Sequence, residues 1–474
     1  MSGRRADPGV PPCTGDGEGG DALPWVHSGN MGLLVDQYQF TMLRAYHAEG
    51  MLGQAVFSLF VRRLPPERNY LLACGLDTVL GVLEQLHFPD DALAHLASVE
   101  GFDESFLGWL SGLRFRGDVW AVPEGTPVFA NEPILEVRAS LPEAQVVETL
   151  VMNQIHLQTV LASKASRVKA VAGDRGVVDF GLRRMHGTDA GLKSARAFHI
   201  AGVDATSNVL AGRVYGVPVT GTMAHSYVQA HEGEMEAFRA FMRVFPETVL
   251  LVDTYDTLEG VRTVVRLARE LGDDFRVRGV RLDSGDLDAL ARASREILDA
   301  AGLEDLRILA SGGLDEWSIR ELVRAGAPID GFGVGTGMGV AADAPSLDIA
   351  YKLTEYEGEG RLKLSPGKPI LPGRKQIFRV EEEERAVRDV LAGEGEHHRG
   401  RPLLRQVMSA GERTESGREG LDVARDRAAE ELSRLPEPLL ELESADSAFP
   451  VEVSPELRER QRRAADRAAE GRAG

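Results

Sequence analysis

At 474 residues, with 43% hydrophobic and 27% charged residues, the chain has the composition of a soluble globular protein and is too long for one small core. The formal net charge of −19 excludes nucleic acid or an anionic membrane surface as the main partner, while local arginine clusters leave small anions open as ligands. Only Cys13 and Cys74 occur, which excludes a disulfide framework and makes a reducing cytoplasm the expected compartment. The first residues hold no signal-like apolar region, and no run of about 18 apolar residues occurs, so no membrane span is expected.

Residues 1–28 are rich in Gly and Pro and read as a disordered tail. An N-terminal α/β domain is expected over 29–142. It begins with a helix at 33–48, where Leu34, Tyr38, Met42 and Ala45 recur at helical spacing, followed by a strand at 55–61. Helices at about 71–87 and 91–110 follow, then short β runs broken by Pro and Gly from 118 to 137, which read as a small open sheet.

A βα barrel is expected over 143–345. A long helix at about 143–172 leads into short apolar strands alternating with helical segments, at 177–180, 217–220, 248–252, 278–282, 307–310 and 330–334. Gly-rich turns directly follow the last two strands, and in a barrel the loops after late strands commonly form a phosphate site, which favours a barrel over a doubly wound sheet. From 346 to 474 the rhythm stops. Strands at 350–354 and 376–380 are expected to return to the first domain, 381–449 is charged and weakly patterned, and a helix at about 454–470 reads as a solvated surface element.

Four short motifs end apolar runs and bring chemistry to strand ends. Gly221-Thr222-Met223-Ala224-His225 delivers one imidazole. A lone histidine is more often structural than catalytic, but Asp253 ends the next strand, and carboxylates commonly orient a reactive imidazole. Arg281 and Asp283 alternate on one strand and project from the same face. A plain surface ion pair fits that spacing too, yet Ser284-Gly285-Asp286 continues at once. An arginine, two carboxylates and a hydroxyl suit Mg²⁺-diphosphate or carboxylate recognition. Gly312-Gly313 and Gly333, Gly335 and Gly337 leave backbone N–H groups open to a phosphate. Phe180-Gly181-Leu182-Arg183-Arg184 ends the first barrel strand with two guanidiniums, of which at least one suits an anion.

Taken with Leu34-Val35-Asp36-Gln37-Tyr38-Gln39, Ser207-Asn208-Val209-Leu210-Ala211 and Val252-Asp253-Thr254-Tyr255-Asp256, these motifs resemble the nicotinate phosphoribosyltransferase family over about residues 30–380. The resemblance implies a type II phosphoribosyltransferase, an irregular βα barrel joined to an N-terminal α/β domain with an open sheet, working as a homodimer. It implies a reaction of nicotinate, phosphoribosyl diphosphate and ATP, supported by Mg²⁺, that yields nicotinate mononucleotide and serves NAD salvage. His225 resembles the histidine that ATP phosphorylates, with Asp253 holding its tautomer. Thr222 and Arg281 resemble contacts to nicotinate, and Tyr38 an aromatic that packs on the pyridine ring from the partner subunit. Thr336, Gly335 and Gly313, with Gly312, Ser284 and Arg183, resemble the phosphoribosyl diphosphate pocket, and Asp283 the Mg²⁺ site. Nicotinamide or quinolinate as the substrate keeps the same fold, and Asp204, if it touched the ring, would speak for nicotinamide by like-charge repulsion of a carboxylate. A barrel that binds a phosphorylated ligand without turnover is the reading from another class.

Overall fold

The computed structural model describes residues 25–99, 101–364 and 370–470; of the tail expected at 1–28, residues 1–24 lie outside them, while Trp25 to Ser28 are described and the Trp25 carbonyl accepts from Asn30 Nδ2 at 2.9 Å. Its first sheet draws strands from both ends of the chain. The largely apolar strand Gln54–Val61 is buried along almost its whole length and pairs antiparallel with Pro133–Ser140 on one side and Ile349–Tyr356 on the other. The ladder continues outward through Asp118–Ala121 to Arg405–Ser409, so the charged C-terminal stretch supplies an edge of the N-terminal sheet.

Ahead of this sheet, helix Gln37–Glu49 starts at a capping box in which Asp36 and Gln39 satisfy each other's backbone amides. The helix expected at 71–87 is shorter. Leu71–Leu72 forms a strand with Pro127–Val128, and the helix runs only over Leu76–Gln85. The helix expected at 91–110 is two helices, Asp90–Ala97 and Glu104–Ser111, because the Asp103 side chain accepts from Phe106 N and restarts the helix there.

The long helix is divided as Leu141–Val146 and Glu148–Ala172, and the second piece is the axle of the molecule. It is buried on most of its faces because it touches Leu71–Leu72 and Ile349–Tyr356 on one side and the helices Thr188–Ile200 and Glu316–Arg324 on the other. That explains apolar residues all round a helix that spans no membrane. Among the described residues no helix is long and apolar enough to cross one.

The second sheet is parallel and curled. Its spatial order is Ala205–Thr206, Gly176–Asp179, Gly331–Val334, Arg307–Ala310, Gly279–Leu282 and Val249–Leu251. Residues 217–220, expected as a full strand, contribute one parallel bridge from Val219 to Thr206. The sheet therefore forms a half-barrel whose seam lies between Val219 and Val249–Leu251, among the described residues without a backbone ladder across it.

The segment 375–453 is more ordered than its charge pattern implies. Strands Lys375–Glu382 and Arg385–Gly393 form a hairpin, Arg401–Pro402 flanks it, and Val451–Val453 adds in parallel. Helix Pro455–Glu470 lies along this sheet with Leu457 and Ala464 buried, so only part of its surface is solvated.

Candidate active site

The half-barrel strands are parallel, so their C-terminal ends face one side, and the motifs meet there. His225 is the first residue of helix His225–Gln229 and its ring is 39% exposed. Its Nδ1 lies 3.2 Å from the Thr254 hydroxyl. Its Nε2 faces two carboxylates, Asp283 at 3.8 Å and Asp253 at 4.0 Å, too far for hydrogen bonds. The orienting hydrogen bond expected from Asp253 is thus made by Thr254. Asp253, whose side chain is 1% exposed, uses Oδ2 to accept from Asp283 N at 3.1 Å and Ser284 Oγ at 2.6 Å, while its Oδ1 is buried without a partner.

The two aspartates of each motif have different duties. Asp253 and Asp283 face the pocket, whereas Asp256 and Asp286 cap the next helices by accepting from Glu259 N at 2.8 Å and Ala289 N at 3.1 Å. The pairing of Asp283 with Asp286 as two metal-facing carboxylates is therefore corrected: Asp286 is committed to the helix start. Asp283 instead gains Ser311, whose hydroxyl donates to Oδ1 at 2.5 Å and leaves Oδ2 toward His225.

Arg281 organises a second corner. Nη1 donates to the Thr222 hydroxyl at 2.9 Å, Nη2 to the Met223 carbonyl at 3.1 Å, and buried Nε has no partner. The guanidinium carbon lies 5.6 Å from the centre of the Phe180 ring. Burial pulls Arg281 below its ordinary value against the charges of Asp283 and Asp253, and Arg183 adds to that pull. A planar ring bearing an anionic group matches a cation, a hydroxyl and an aromatic face set together in this way.

The glycine turns are built for close approach. Gly312 has φ +93, and a Cβ there would run into the backbone of Asp283. A Cβ on Gly333 would strike the Phe180 ring, and Gly335 lies against the backbone of Phe180 and Gly181. Thr336 opens the short helix Thr336–Gly339, and Gly337 abuts Leu314 and Asp315, so the Phe180–Arg184, Ser311–Asp315 and Gly333–Gly337 turns form one rim. Arg183 and Arg184 stand exposed on it, Ser284 is held by Asp253, and Gly313 is left-handed at φ +71.

Two residues weighed as ring contacts stand apart from this pocket within the chain. Tyr38 stands half-exposed at the start of helix Gln37–Glu49, where partial burial and the neighbouring Glu148 carboxylate push its phenol well above the tyrosine range. Among the described residues no hydrogen bond or ring contact joins it to Phe180, Thr222 or Arg281. Asp204 accepts from Val177 N at 2.8 Å and pairs with Lys169 and Arg425 at 3.4 Å, at the N-terminal end of its strand and away from the pocket. Sequence reasoning missed Thr254 and Ser311, although both lie inside or beside the motifs it used, and it read Phe180 only as part of a motif.

With this geometry in hand, likenesses to known proteins carry weight. Residues 33–156 match the nicotinate phosphoribosyltransferase (NAPRTase) N-terminal domain, and residues 176–391 match the nicotinate phosphoribosyltransferase (NAPRTase) family. The chain belongs to the nicotinate phosphoribosyltransferase family. A nicotinate phosphoribosyltransferase of Mycobacterium tuberculosis is 54% identical over 422 residues, covering 89% of this chain and 91% of its own length. The enzyme of that name from Bacillus subtilis is 43% identical, covering 74% and 73%. Human nicotinic acid phosphoribosyltransferase has a similar structure, with TM-score 0.81 and 29% identity over 90% of this chain and 98% of its own. A nicotinate-nucleotide pyrophosphorylase from Pyrococcus furiosus follows at TM-score 0.70 and 25% identity, over 85% and 96%. This chain is an enzyme of the nicotinate phosphoribosyltransferase family, with the curled half-barrel and N-terminal α/β domain of its human relative.

Proposed function

We propose that the pocket transfers the phosphoribosyl group of phosphoribosyl diphosphate to nicotinate, with ATP phosphorylating His225. The observation that carries this reading is Arg281. Its unpaired Nε, beside the Thr222 hydroxyl and over Phe180, suits an aromatic carboxylate, whereas Asp204 is occupied at the far end of its strand. A charged fork fits nicotinate better than nicotinamide, and quinolinate chemistry has no use for a phosphorylated histidine.

In the transfer, the pyridine nitrogen bonds to C1 of the ribose as the C1–O bond to diphosphate breaks, and the leaving group takes the electron pair. The pyridine is a weak nucleophile, so positioning by Arg281, Thr222 and Phe180 is the main requirement. Arg183, Ser284 and the amides around Gly312, Gly313, Gly335 and Thr336 would take the phosphates. Asp283 Oδ2 would hold Mg²⁺, and one carboxylate alongside substrate phosphates is how that ion is usually bound. Bound Mg²⁺ supplies charge neutralisation of the departing diphosphate.

His225 has Nδ1 fixed by Thr254 and Nε2 open between two carboxylates, which suits an imidazole that must turn cationic or accept a phosphoryl group. The Tyr38 position suits a ring contact to a second copy, consistent with a homodimer, and the reading places the enzyme in the cytoplasm. The test compares mononucleotide formation from nicotinate, nicotinamide and quinolinate with ATP, Mg²⁺ and phosphoribosyl diphosphate present. Nicotinate should be the preferred substrate, and turnover of nicotinamide alone would overturn the assignment.

A further inference from the structure

The two glycine turns of the rim are each followed by an acidic residue drawn toward the axial helix. After Gly312-Gly313 comes Glu316, fully buried as the first residue of helix Glu316–Arg324. After Gly335-Thr336 comes Asp343, whose side chain is 17% exposed. The Lys164 ammonium, on the axial helix Glu148–Ala172 and itself buried, reaches both. Glu316 Oε2 lies 2.5 Å from its Nζ and Asp343 Oδ1 lies 2.7 Å from it.

Each carboxylate also has a cation of its own. Arg167 Nε lies 3.3 Å from Glu316 Oε1, and Arg68 Nη2 lies 2.7 Å from Asp343 Oδ2. The arginines alone would neutralise the two acids, so with Lys164 three cations face two carboxylates. A buried charge beyond balance carries a desolvation penalty, which calls for a contact that only it can make. Lys164 makes one: among the described residues of this network, it alone touches the acid behind each turn.

That link falls where the backbone needs holding. Ala341, two residues before Asp343, is fully buried at φ +43, and a residue with a side chain stays in that region only when its surroundings fix it. A Cβ on Gly337 would come within 3.2 Å of the Leu314 carbonyl, so the two turns abut and a shift of one displaces the other. Burial works against a charged Asp343, yet Arg68 and Lys164 hold its carboxyl below the ordinary range and keep it ionised for the bridge.

We propose that Lys164 is a positioning residue for phosphoribosyl diphosphate: its one ammonium locks the Gly312-Gly313 turn to the Gly335-Thr336 turn at the spacing a phosphate needs to bridge them. The proposal rests on the reading that these turns take the phosphates of that substrate. Lys164 acts through the turns and not on the substrate. A rim fixed from below is already ordered when the substrate arrives, so less of the binding energy goes into ordering it.

The test is steady-state kinetics of the full-length protein, with nicotinate and phosphoribosyl diphosphate varied in turn. The wild type is compared with Lys164→Met, Asp343→Asn, their combination and Thr336→Val. Both acids keep their arginines in Lys164→Met, so it should fold, which a thermal melt checks. Its KM for phosphoribosyl diphosphate should rise about tenfold, the size of one charge-assisted contact, while kcat and the KM for nicotinate stay within about twofold. Asp343→Asn opens the same link with a side chain of equal size and should behave alike, and it carries the test if Lys164→Met does not fold. Because both changes break one bridge, the combination should be no worse than the poorer single variant, whereas independent effects would multiply. Multiplied losses, or equal rises in both KM values, would mean a general loosening of the fold and overturn the proposal. Thr336→Val alters the rim itself and should raise the same KM. If it does while the folded bridge variants match the wild type, the phosphate site stands and only the role of Lys164 is lost. An unchanged KM in Thr336→Val would instead remove the reading on which the proposal rests.

Discussion

Arg281 donates to the Thr222 hydroxyl at 2.9 Å, joining the end of strand Gly279–Leu282 to the segment that follows Val219. These pieces flank the seam of the half-barrel. His225 spans it as well, through Thr254, Asp253 and Asp283. The groups proposed for chemistry are thus also those that tie the two sides together where the backbone ladder stops.

From this follows the first prediction. Arg281→Lys keeps the charge but loses the fork that holds Thr222 and Met223 while leaving Nε for a ligand. Charge-assisted hydrogen bonds contribute about 1.5–3 kcal/mol, so KM for nicotinate should rise about 10- to 100-fold. Thr222→Val should show a smaller rise. Steady-state kinetics with nicotinate varied at saturating phosphoribosyl diphosphate measures both, and an unchanged KM in Arg281→Lys would refute the assignment of this corner.

Gly312 gives the second. A side chain there meets the backbone of Asp283, and φ +93 is itself strained for any other residue, at about 1–3 kcal/mol. Gly312→Ala should move Asp283 relative to His225 and the phosphate rim, cutting kcat at least about 100-fold, since ångström-scale misplacement costs that much. A melting temperature within a few degrees of wild type alongside that loss would show the damage to be local. Wild-type turnover would show the turn to be tolerant.

The half-barrel was legible because each strand is a short apolar run ending in a polar motif; that Asp256, Asp286 and Asp315 cap the helices that follow emerged only from the structure. What could not be read was which aspartate of a pair points inward, since capping and catalysis use the same residue type three positions apart. The C-terminal hairpin was hidden for another reason. Its turn is Glu383-Glu384, both at positive φ, where Asn or Gly would have signalled a tight turn, and the run Glu381 to Glu384 reads as solvent-facing. Its buried centre is equally misleading, because Arg379 is fully enclosed, clasped by Asp389 at 2.7 Å and flanked by the Phe129 and Phe449 rings.

A third prediction concerns another buried pair. Arg196 on helix Thr188–Ile200 forks onto Glu124 at 2.7 and 2.6 Å, and Gly75 N also donates to that carboxylate at 2.6 Å, fastening the half-barrel to the N-terminal domain. Although burial works the other way, the Arg196 charge holds the Glu124 carboxyl below its ordinary range. A depressed carboxyl stabilises the fold above its unfolded value of 4.5 and loses that contribution as pH falls through the folded value. Removing one partner should cost about 3–5 kcal/mol, so Glu124→Ala should unfold at much lower denaturant, with Glu124→Leu/Arg196→Met less affected. Equal losses in the single and double variants would show that the pair itself is not the cause.

The last prediction uses a histidine outside the pocket. His156, on the axial helix Glu148–Ala172, accepts from Leu347 N through Nε2 at 3.0 Å, just where the chain leaves the half-barrel to rejoin the first sheet. Acceptance requires a neutral ring, and burial lowers the value of His156 from its ordinary 6.5. The sign follows from linkage: a histidine depressed in the folded state contributes stability above its unfolded value, and that contribution drains away as pH drops through the folded one. Wild-type protein should therefore lose melting temperature as pH falls below 6.5, beyond what its carboxylates account for. His156→Gln retains an acceptor and does not titrate, so its melting temperature should fall less over the same interval. Thermal scans of the two proteins across that window decide it. Parallel curves would mean that the Leu347 anchor survives protonation and that acid sensitivity arises elsewhere.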